Sequence, residues 1–232
     1  MNIEVDKKPE KLHEHEHKVY NQPVNFVFKK KPVYSIIKRL FDILLSLFLI
    51  IILLPLFLVI MIIIACDDKN GHPIFTQERC GKNGKRFKLY KFRTMTPNAE
   101  NYLEQLKNQN EMDGPVFKIK NDPRVTRFGR FLRATNIDEI PQIFNILKGE
   151  MSFVGPRPPL PREVEQYDEY DKLRLLVVPG LTCYWQVRKN RNSISFKEWM
   201  ELDRKYIVER NLFVDIKLIF KTLLVIFKHD GC

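Results

Sequence analysis

The stretch ILLSLFLIIILLPLFLVIMIIIA, residues 43–65, decides how the rest of the chain is arranged. It is apolar throughout except for Ser46 and Pro55. As a helix it would be about 35 Å long, enough to cross a hydrocarbon core of about 30 Å, so an ordinary transmembrane span is one reading. A re-entrant hairpin is the other. Pro55 lies near the middle, where it removes a backbone hydrogen bond and divides the segment into arms of about 18 and 15 Å, each suited to one leaflet. Basic residues flank both ends: Lys29, Lys30, Lys31, Lys38 and Arg39 before, Lys69, Arg79, Lys82, Lys85 and Arg86 after. Positive charge marks the cytoplasmic side, which places both flanks there. Lys38 and Arg39, four and three residues before Asp42, are spaced to pair with it.

Upstream, residues 1–33 form a charged tail with no apolar run behind a basic start, unlike a secretory signal. His13, His15 and His17 alternate with glutamates there, which fits a solvated tail rather than a metal site. Lys and Arg outnumber Asp and Glu by 39 to 28, a net charge of +11, so an anionic partner is expected. Aromatic-basic platforms and a helix-turn-helix pattern are lacking, which disfavours nucleic acid. Cys66, Cys80, Cys183 and Cys232 are far apart, so neither a zinc site nor a disulfide framework is suggested.

Downstream, two alternating runs, residues 73–79 and 86–92, flank Gly81-Lys-Asn-Gly84 and read as a β-hairpin. Lys91 and Arg93 close it, either as cations on anionic lipid or as substrate contacts. Residues 99–111 read as an exposed polar helix. Arg124, Arg127, Arg130 and Arg133 follow at intervals of three and would present one cationic edge, whose forked donors suit a diphosphate.

The pair Asp138-Glu139 follows five residues later. Asn136 is placed to cap a helix whose third residue is Glu139, and carboxylates in a first turn meet the helix dipole favourably. A carboxylate is also a competent nucleophile towards phosphorus, and a helix start also gathers phosphate. Near the C-terminus, Ser195-Phe-Lys-Glu198 is a capping box opening one helix, and residues 210–228 form another. On that last helix Arg210, Lys217, Lys221 and Lys228 share one stripe, while Asp215 lies on the far side among apolar residues. Such an acid needs a partner, either a metal or a core arginine.

Several motifs occur together and in order: Lys91-Phe-Arg-Thr-Met95, Asp138-Glu139, Val154-Gly-Pro-Arg-Pro158, Pro179-Gly-Leu-Thr182, Trp185-Gln-Val187, Glu201-Leu-Asp203 and Asp215. With them the chain, from Lys38 to its C-terminus, resembles the bacterial sugar transferase family, the monotopic polyprenyl-phosphate phosphoglycosyl transferases. The resemblance implies that Asp138 is the nucleophile and that Glu139 works with a bound Mg²⁺. It further implies that Arg133 supports the phosphates, that Arg157 shapes the pocket and that Arg191 is another phosphate contact. Lys91 and Arg93 join these as substrate contacts. Asp138 is a second candidate ligand of the metal, with Asp203 and Asp215 as further ones.

The expected fold is α+β and mostly helical. A re-entrant membrane hairpin kinked at Pro55 (34–66) precedes a compact membrane-associated catalytic domain (67–232), which carries a small β-hairpin and interfacial amphipathic helices. The resemblance implies transfer of a sugar 1-phosphate from a UDP-sugar to undecaprenyl phosphate through a covalent aspartyl intermediate, with release of UMP. It places the chain at the cytoplasmic face of the bacterial inner membrane, on an anionic lipid bilayer, at the start of polysaccharide or glycoconjugate synthesis. A non-catalytic basic membrane-binding module and another lipid-phosphate enzyme are the rival classes. An oligomer is possible, and no residue identifies the sugar.

Overall fold

In the computed structural model, residues 28–67, 71–117, 119, 121–188 and 194–227 are described. The histidines of the tail, Lys69, Arg191 and Lys228 lie outside them. Helix α1 (Pro32–Asp67, 36 residues) is uninterrupted through Pro55 and takes in the last two residues of the expected tail. Pro32 opens it, where a missing N–H costs nothing, whereas Pro55 frees the carbonyl one turn earlier. Most of its surface is bare: Val33, Ile36, Ile51 and Ile62 are each more than 60% exposed.

Its buried residues, Asp42, Ser46, Ile60 and Ile64, stand on both sides of Pro55. The Asp42 carboxylate accepts from Ser152 Oγ and Phe153 N, each at 3.1 Å. The expected pairing of Lys38 and Arg39 with Asp42 is replaced by contacts to more distant groups. Lys38 Nζ reaches Asp215 Oδ2 at 2.8 Å, and Arg39 donates to the carbonyls of Ile146 (2.6 Å) and Leu147 (2.7 Å). Beyond the proline, Ile60 and Ile64 are buried with Phe92 and Leu132, each such side chain contributing about 1.5–3 kcal/mol.

The β-hairpin forms as its sequence predicts. Strands β1 (Ile74–Cys80) and β2 (Arg86–Phe92) pair antiparallel, from Ile74 opposite Phe92 to Cys80 opposite Arg86. Asn83 and Gly84 take the positive φ that their tight turn requires. The polar helix expected over 99–111 is instead broken. A four-residue helix, α2 (Leu103–Leu106), lies between two 3-10 turns, Ala99–Tyr102 and Lys107–Gln109. Among the described side chains of these segments only Ala99 and Leu106 are buried, too few to form an apolar stripe that would hold a longer helix.

Helix α3 (Arg127–Ala134) is capped by Thr126, whose side chain accepts from Gly129 N. The row of arginines does not form one edge. Arg124 turns inward onto Asp122, with Nε and Nη2 at 2.9 and 2.6 Å from its two carboxylate oxygens. Then come a 3-10 turn (Ile137–Glu139), α4 (Gln142–Lys148) and β3 (Ser152–Val154). Helix α5 (Pro161–Val164), a 3-10 segment (Asp171–Leu176) and β4 (Gly180–Thr182) lead to α6 (Phe196–Glu209) and α7 (Leu212–Phe227).

Strands β3 and β4 pair in parallel, Ser152 with Gly180 and Val154 with Thr182. This joins the Val154-Gly-Pro-Arg-Pro and Pro179-Gly-Leu-Thr motifs backbone to backbone. A Cβ on Gly180 would lie 2.0 Å from Gly155 N, so nothing larger fits. The main core gathers Ile146, Met151, Val154, Cys183, Tyr206 and Leu218 around that pair. Ser195 caps α6 as expected, accepting from Glu198 N at 3.1 Å. On α7 Lys217 and Lys221 are exposed, as are Phe213 and Phe220. Arg210 leaves the expected basic stripe: it is buried and donates to the carbonyls of Lys29 and Ile207.

Candidate active site

Three segments bring charge together beside α4. Strand β2 supplies Lys91, and its register is held by Asn145 of α4. The Asn145 side chain accepts from Tyr90 N at 3.0 Å and donates to Lys88 O at 2.7 Å, so strand and helix are tied on either side of Leu89. Lys91 Nζ thereby lies 2.6 Å from Glu139 Oε1 and 3.7 Å from Asp138 Oδ2.

The acidic pair does not occupy the first turn of an α-helix capped by Asn136. Asn136 adopts a left-handed conformation (φ 56°), and its side chain makes no capping bond. Asp138 and Glu139 end a 3-10 turn, and α4 begins only after Pro141. The turn directs Asp138 inward, leaving it 7% exposed, while Glu139 stays partly open. Burial pushes the Asp138 carboxyl above the usual range; Lys91 and Arg133 oppose that rise and Glu139 adds to it.

Arg133 stands at the end of α3, and its Nε donates to Thr94 Oγ1 at 2.9 Å. Thr94 is fixed in turn: its carbonyl accepts from Thr126 N at 3.0 Å, and Gly129 packs directly on it. Lys91 of β2 and Arg133 of α3, the latter held by Thr94, thus act on Asp138 from two elements. Arg93 is held at the base of the hairpin, where its N–H donates to Pro73 O and its guanidinium lies against Gly71.

Arg157 follows β3 and lies 3.9 Å from Glu163, with its guanidinium 5.6 Å from the Trp199 ring. Arg79 connects this region to the acidic pair. It is buried and donates to Pro158 O (3.0 Å) and Gln77 Oε1 (2.5 Å). Burial, with Arg157 beside it, brings its guanidinium down to about 9, while Glu163 and Glu139 act in the opposite sense. The sequence marked Arg79 only as a flanking charge; alternation in a strand gives no sign that an arginine at its end turns inward. Buried Glu163, which accepts from Leu160 N at 2.8 Å, was likewise missed.

The two other acids are engaged elsewhere. Asp203 is fully buried against Arg174 at 2.8 Å, and burial raises its carboxyl to about 6. Asp215 receives Lys38 Nζ at 2.8 Å, Tyr34 OH at 2.7 Å and Tyr206 OH at 2.9 Å. The partner foreseen as a metal or core arginine is therefore a lysine of α1. Among the described residues there is no group of three His, Cys, Asp or Glu that would cage a metal. The donor set Asp138-Glu139 suits instead a hard cation that retains water and takes phosphate oxygens, as Mg²⁺ does.

Comparison with known proteins gives a family match over residues 33–229, to the model described as bacterial sugar transferase. The chain is 46% identical over 164 residues to galactosyl transferase CpsE of Streptococcus agalactiae, covering 70% of this chain and 36% of that protein. It is 36% identical over 232 residues to undecaprenyl-phosphate galactose phosphotransferase of Salmonella typhimurium, covering 92% and 48%. It is 39% identical over 205 residues to exopolysaccharide production protein ExoY of Sinorhizobium fredii, covering 87% and 90%. The chain thus spans half or less of the first two relatives and nine-tenths of the third.

Proposed function

The chain belongs to the bacterial sugar transferase family, and on that premise we propose that it moves a sugar 1-phosphate from a UDP-sugar to undecaprenyl phosphate, releasing UMP. The observation that carries this reading is Asp138, a buried carboxylate with Lys91 and Arg133 beside it and Glu139 next in the chain. An Asp138 oxygen attacks the phosphorus bearing the sugar, forming an acyl phosphate as the bond to the UMP oxygen breaks. The lipid phosphate oxygen then attacks the same phosphorus, and the aspartyl bond breaks to restore the carboxylate. Two polyanions that repel each other in this way use one cationic site in turn. Lys91 and Arg133 offer charge-assisted donors to the phosphates. Mg²⁺, held by Glu139 with Asp138, would neutralise the diphosphate. The product would start a capsule, exopolysaccharide or glycoprotein glycan.

The test is UMP release from a panel of UDP-sugars without lipid acceptor, with the protein becoming labelled by the phosphosugar. Asp138→Asn is expected to lose both signals; if it keeps them, Asp138 is not the nucleophile.

We further propose that α1 enters and leaves the membrane on the cytoplasmic side. A helix crossing the bilayer would carry its second arm about 30 Å from the first interface. Here Asp42 before Pro55, and Ile60 and Ile64 after it, are buried on the same body. Cysteines placed at positions 30 and 70 are expected to be labelled from one side only, and labelling from opposite sides would overturn this topology.

A further inference from the structure

The turn after β3 carries Arg157 among prolines, and four successive carbonyls there accept donors from distant parts of the chain. Gly180 N donates to Pro156 O at 2.9 Å, Arg174 Nη2 to Arg157 O at 2.9 Å, Arg79 Nη1 to Pro158 O at 3.0 Å and Cys80 N to Pro159 O at 2.8 Å. We propose that Arg174, paired with Asp203, is a positioning residue for the transfer: it fixes the backbone of Arg157 so that the Arg157 guanidinium faces the diphosphate of the donor. The assignment rests on the transferase reading above.

Arg174 acts on Arg157 from behind, through the main chain. It lies in the 3-10 segment Asp171–Leu176 with its side chain 3% exposed. Nη1 donates to Tyr167 OH at 2.8 Å, while Nη2 donates to Arg157 O and lies 2.8 Å from Asp203 Oδ2. One planar fork thus serves three partners, which the point charge of a lysine does not match in the same directions. Helix α6 supplies the rest. Trp199 and Asp203, one turn apart, share a face of it. The Trp199 ring lies 5.3 Å from the Arg174 guanidinium and 5.6 Å from that of Arg157, within cation-π reach of both. Asp203 balances the inner guanidinium, which leaves the outer one to an incoming anion.

Two observations connect this device with the charged site. Arg157 Nη1 is buried and has no hydrogen-bond partner among the described residues, Glu163 coming only within 3.9 Å. Arg79, which holds the next carbonyl, lies in the fields of both Arg157 and Glu139, so the turn stands close to the acidic pair. Stability does not account for the Arg174 and Asp203 charges, because a buried ion pair adds little over apolar residues of similar volume. Placement of Arg157 does, and it gives the Glu201-Leu-Asp203 motif a role other than metal binding.

The experiment is a double-mutant cycle on the full chain in nanodiscs, read as the second-order rate constant of acceptor-free UMP release. Arg157→Ala is expected to lower it about 100-fold. Arg174→Lys keeps a charge beside Asp203 but loses the fork, so it should melt near the wild type and still lower the rate about 10-fold. Because both act through one guanidinium, the double variant should be no slower than Arg157→Ala alone. Losses that multiply to about 1000-fold, or a wild-type rate in Arg174→Lys, would overturn the proposal, since a merely structural role leaves the effect of Arg157→Ala unchanged. If Arg174→Lys does not fold, Arg174→Met/Asp203→Val, which strands no charge, replaces it in the cycle. Loss of folding in both assigns the pair to the core and overturns the proposal. A wild-type chain that releases no UMP from any UDP-sugar defeats the transferase reading instead, and the same cycle read on UDP affinity then decides whether Arg174 places Arg157.

Discussion

The pair Lys38–Asp215 ties α1 to α7, and its removal gives the sharpest test of how the apolar helix is anchored. The two side chains are 14% and 6% exposed, and the carboxylate has two further donors, Tyr34 OH at 2.7 Å and Tyr206 OH at 2.9 Å. Asp215→Asn keeps the shape but leaves the Lys38 ammonium buried against a neutral amide. Breaking a buried pair from one side costs about 3–5 kcal/mol. For a chain of this size about 1 kcal/mol lowers Tm by about 2–4 °C, so the fall should be about 6–20 °C. Removing both charges together is a different perturbation. In Lys38→Met/Asp215→Leu no buried charge is stranded, and apolar replacement of buried pairs is often neutral or stabilising. Tyr206 keeps the Val154 carbonyl as acceptor at 3.1 Å and Tyr34 can turn to the Tyr206 hydroxyl at 3.3 Å, so neither phenol is left alone. The double variant should therefore recover most of the loss, with a coupling free energy above about 2 kcal/mol. Thermal unfolding of the wild type, Lys38→Met, Asp215→Leu and their double variant in one detergent reads the cycle, with Asp215→Asn melted alongside. If Asp215→Asn melts with the wild type and the coupling falls below about 0.5 kcal/mol, the pair is solvated and the anchoring argument fails.

Two other outcomes follow from close packing and from burial. Gly129→Ala would normally favour a helix by about 1 kcal/mol, yet here the added Cβ would lie 2.1 Å from the Thr94 carbonyl oxygen. A loss of about 1–3 kcal/mol is expected instead, with weaker UMP release because Thr94 orients Arg133; unchanged melting and activity would contradict it. At Asp203 the folded-state value of about 6 lies above the ordinary carboxyl value of 3.8, so between these pH values the folded chain binds the extra proton. Stability from this site therefore rises as pH falls through that window, by about 1.4 kcal/mol per unit at most, and is lost as pH rises towards 6. Denaturant melts at several pH values should show this limb in the wild type and lack it in Asp203→Asn.

Composition and pattern alone determined much about this protein. The apolar run was legible as one long helix, long and apolar enough to enter a membrane, because length and hydropathy are local properties. The β-hairpin was legible for the same reason: alternation and an Asn-Gly turn act between neighbours, as does the Ser195 cap of α6. The ordered motifs identified the family.

Partners distant in sequence were decided only by the tertiary structure. Spacing along a helix suggested Lys38 or Arg39 for Asp42, but burial turned each towards a group far along the chain: Asp215, the end of α4, and β3. Arg124 left the cationic row because Asp122 offered it a buried fork. Local rules made Asn136 a cap, whereas the left-handed turn at that residue is what directs Asp138 inward between Lys91 and Arg133. The parallel pair of β3 and β4 joins glycines of two distant motifs, and Arg79 reaches the site from the end of β1. Periodicity records which face of an element is apolar; which distant charge a buried side chain meets is settled when the elements pack, since a charge left alone in the interior costs more than almost any local preference returns.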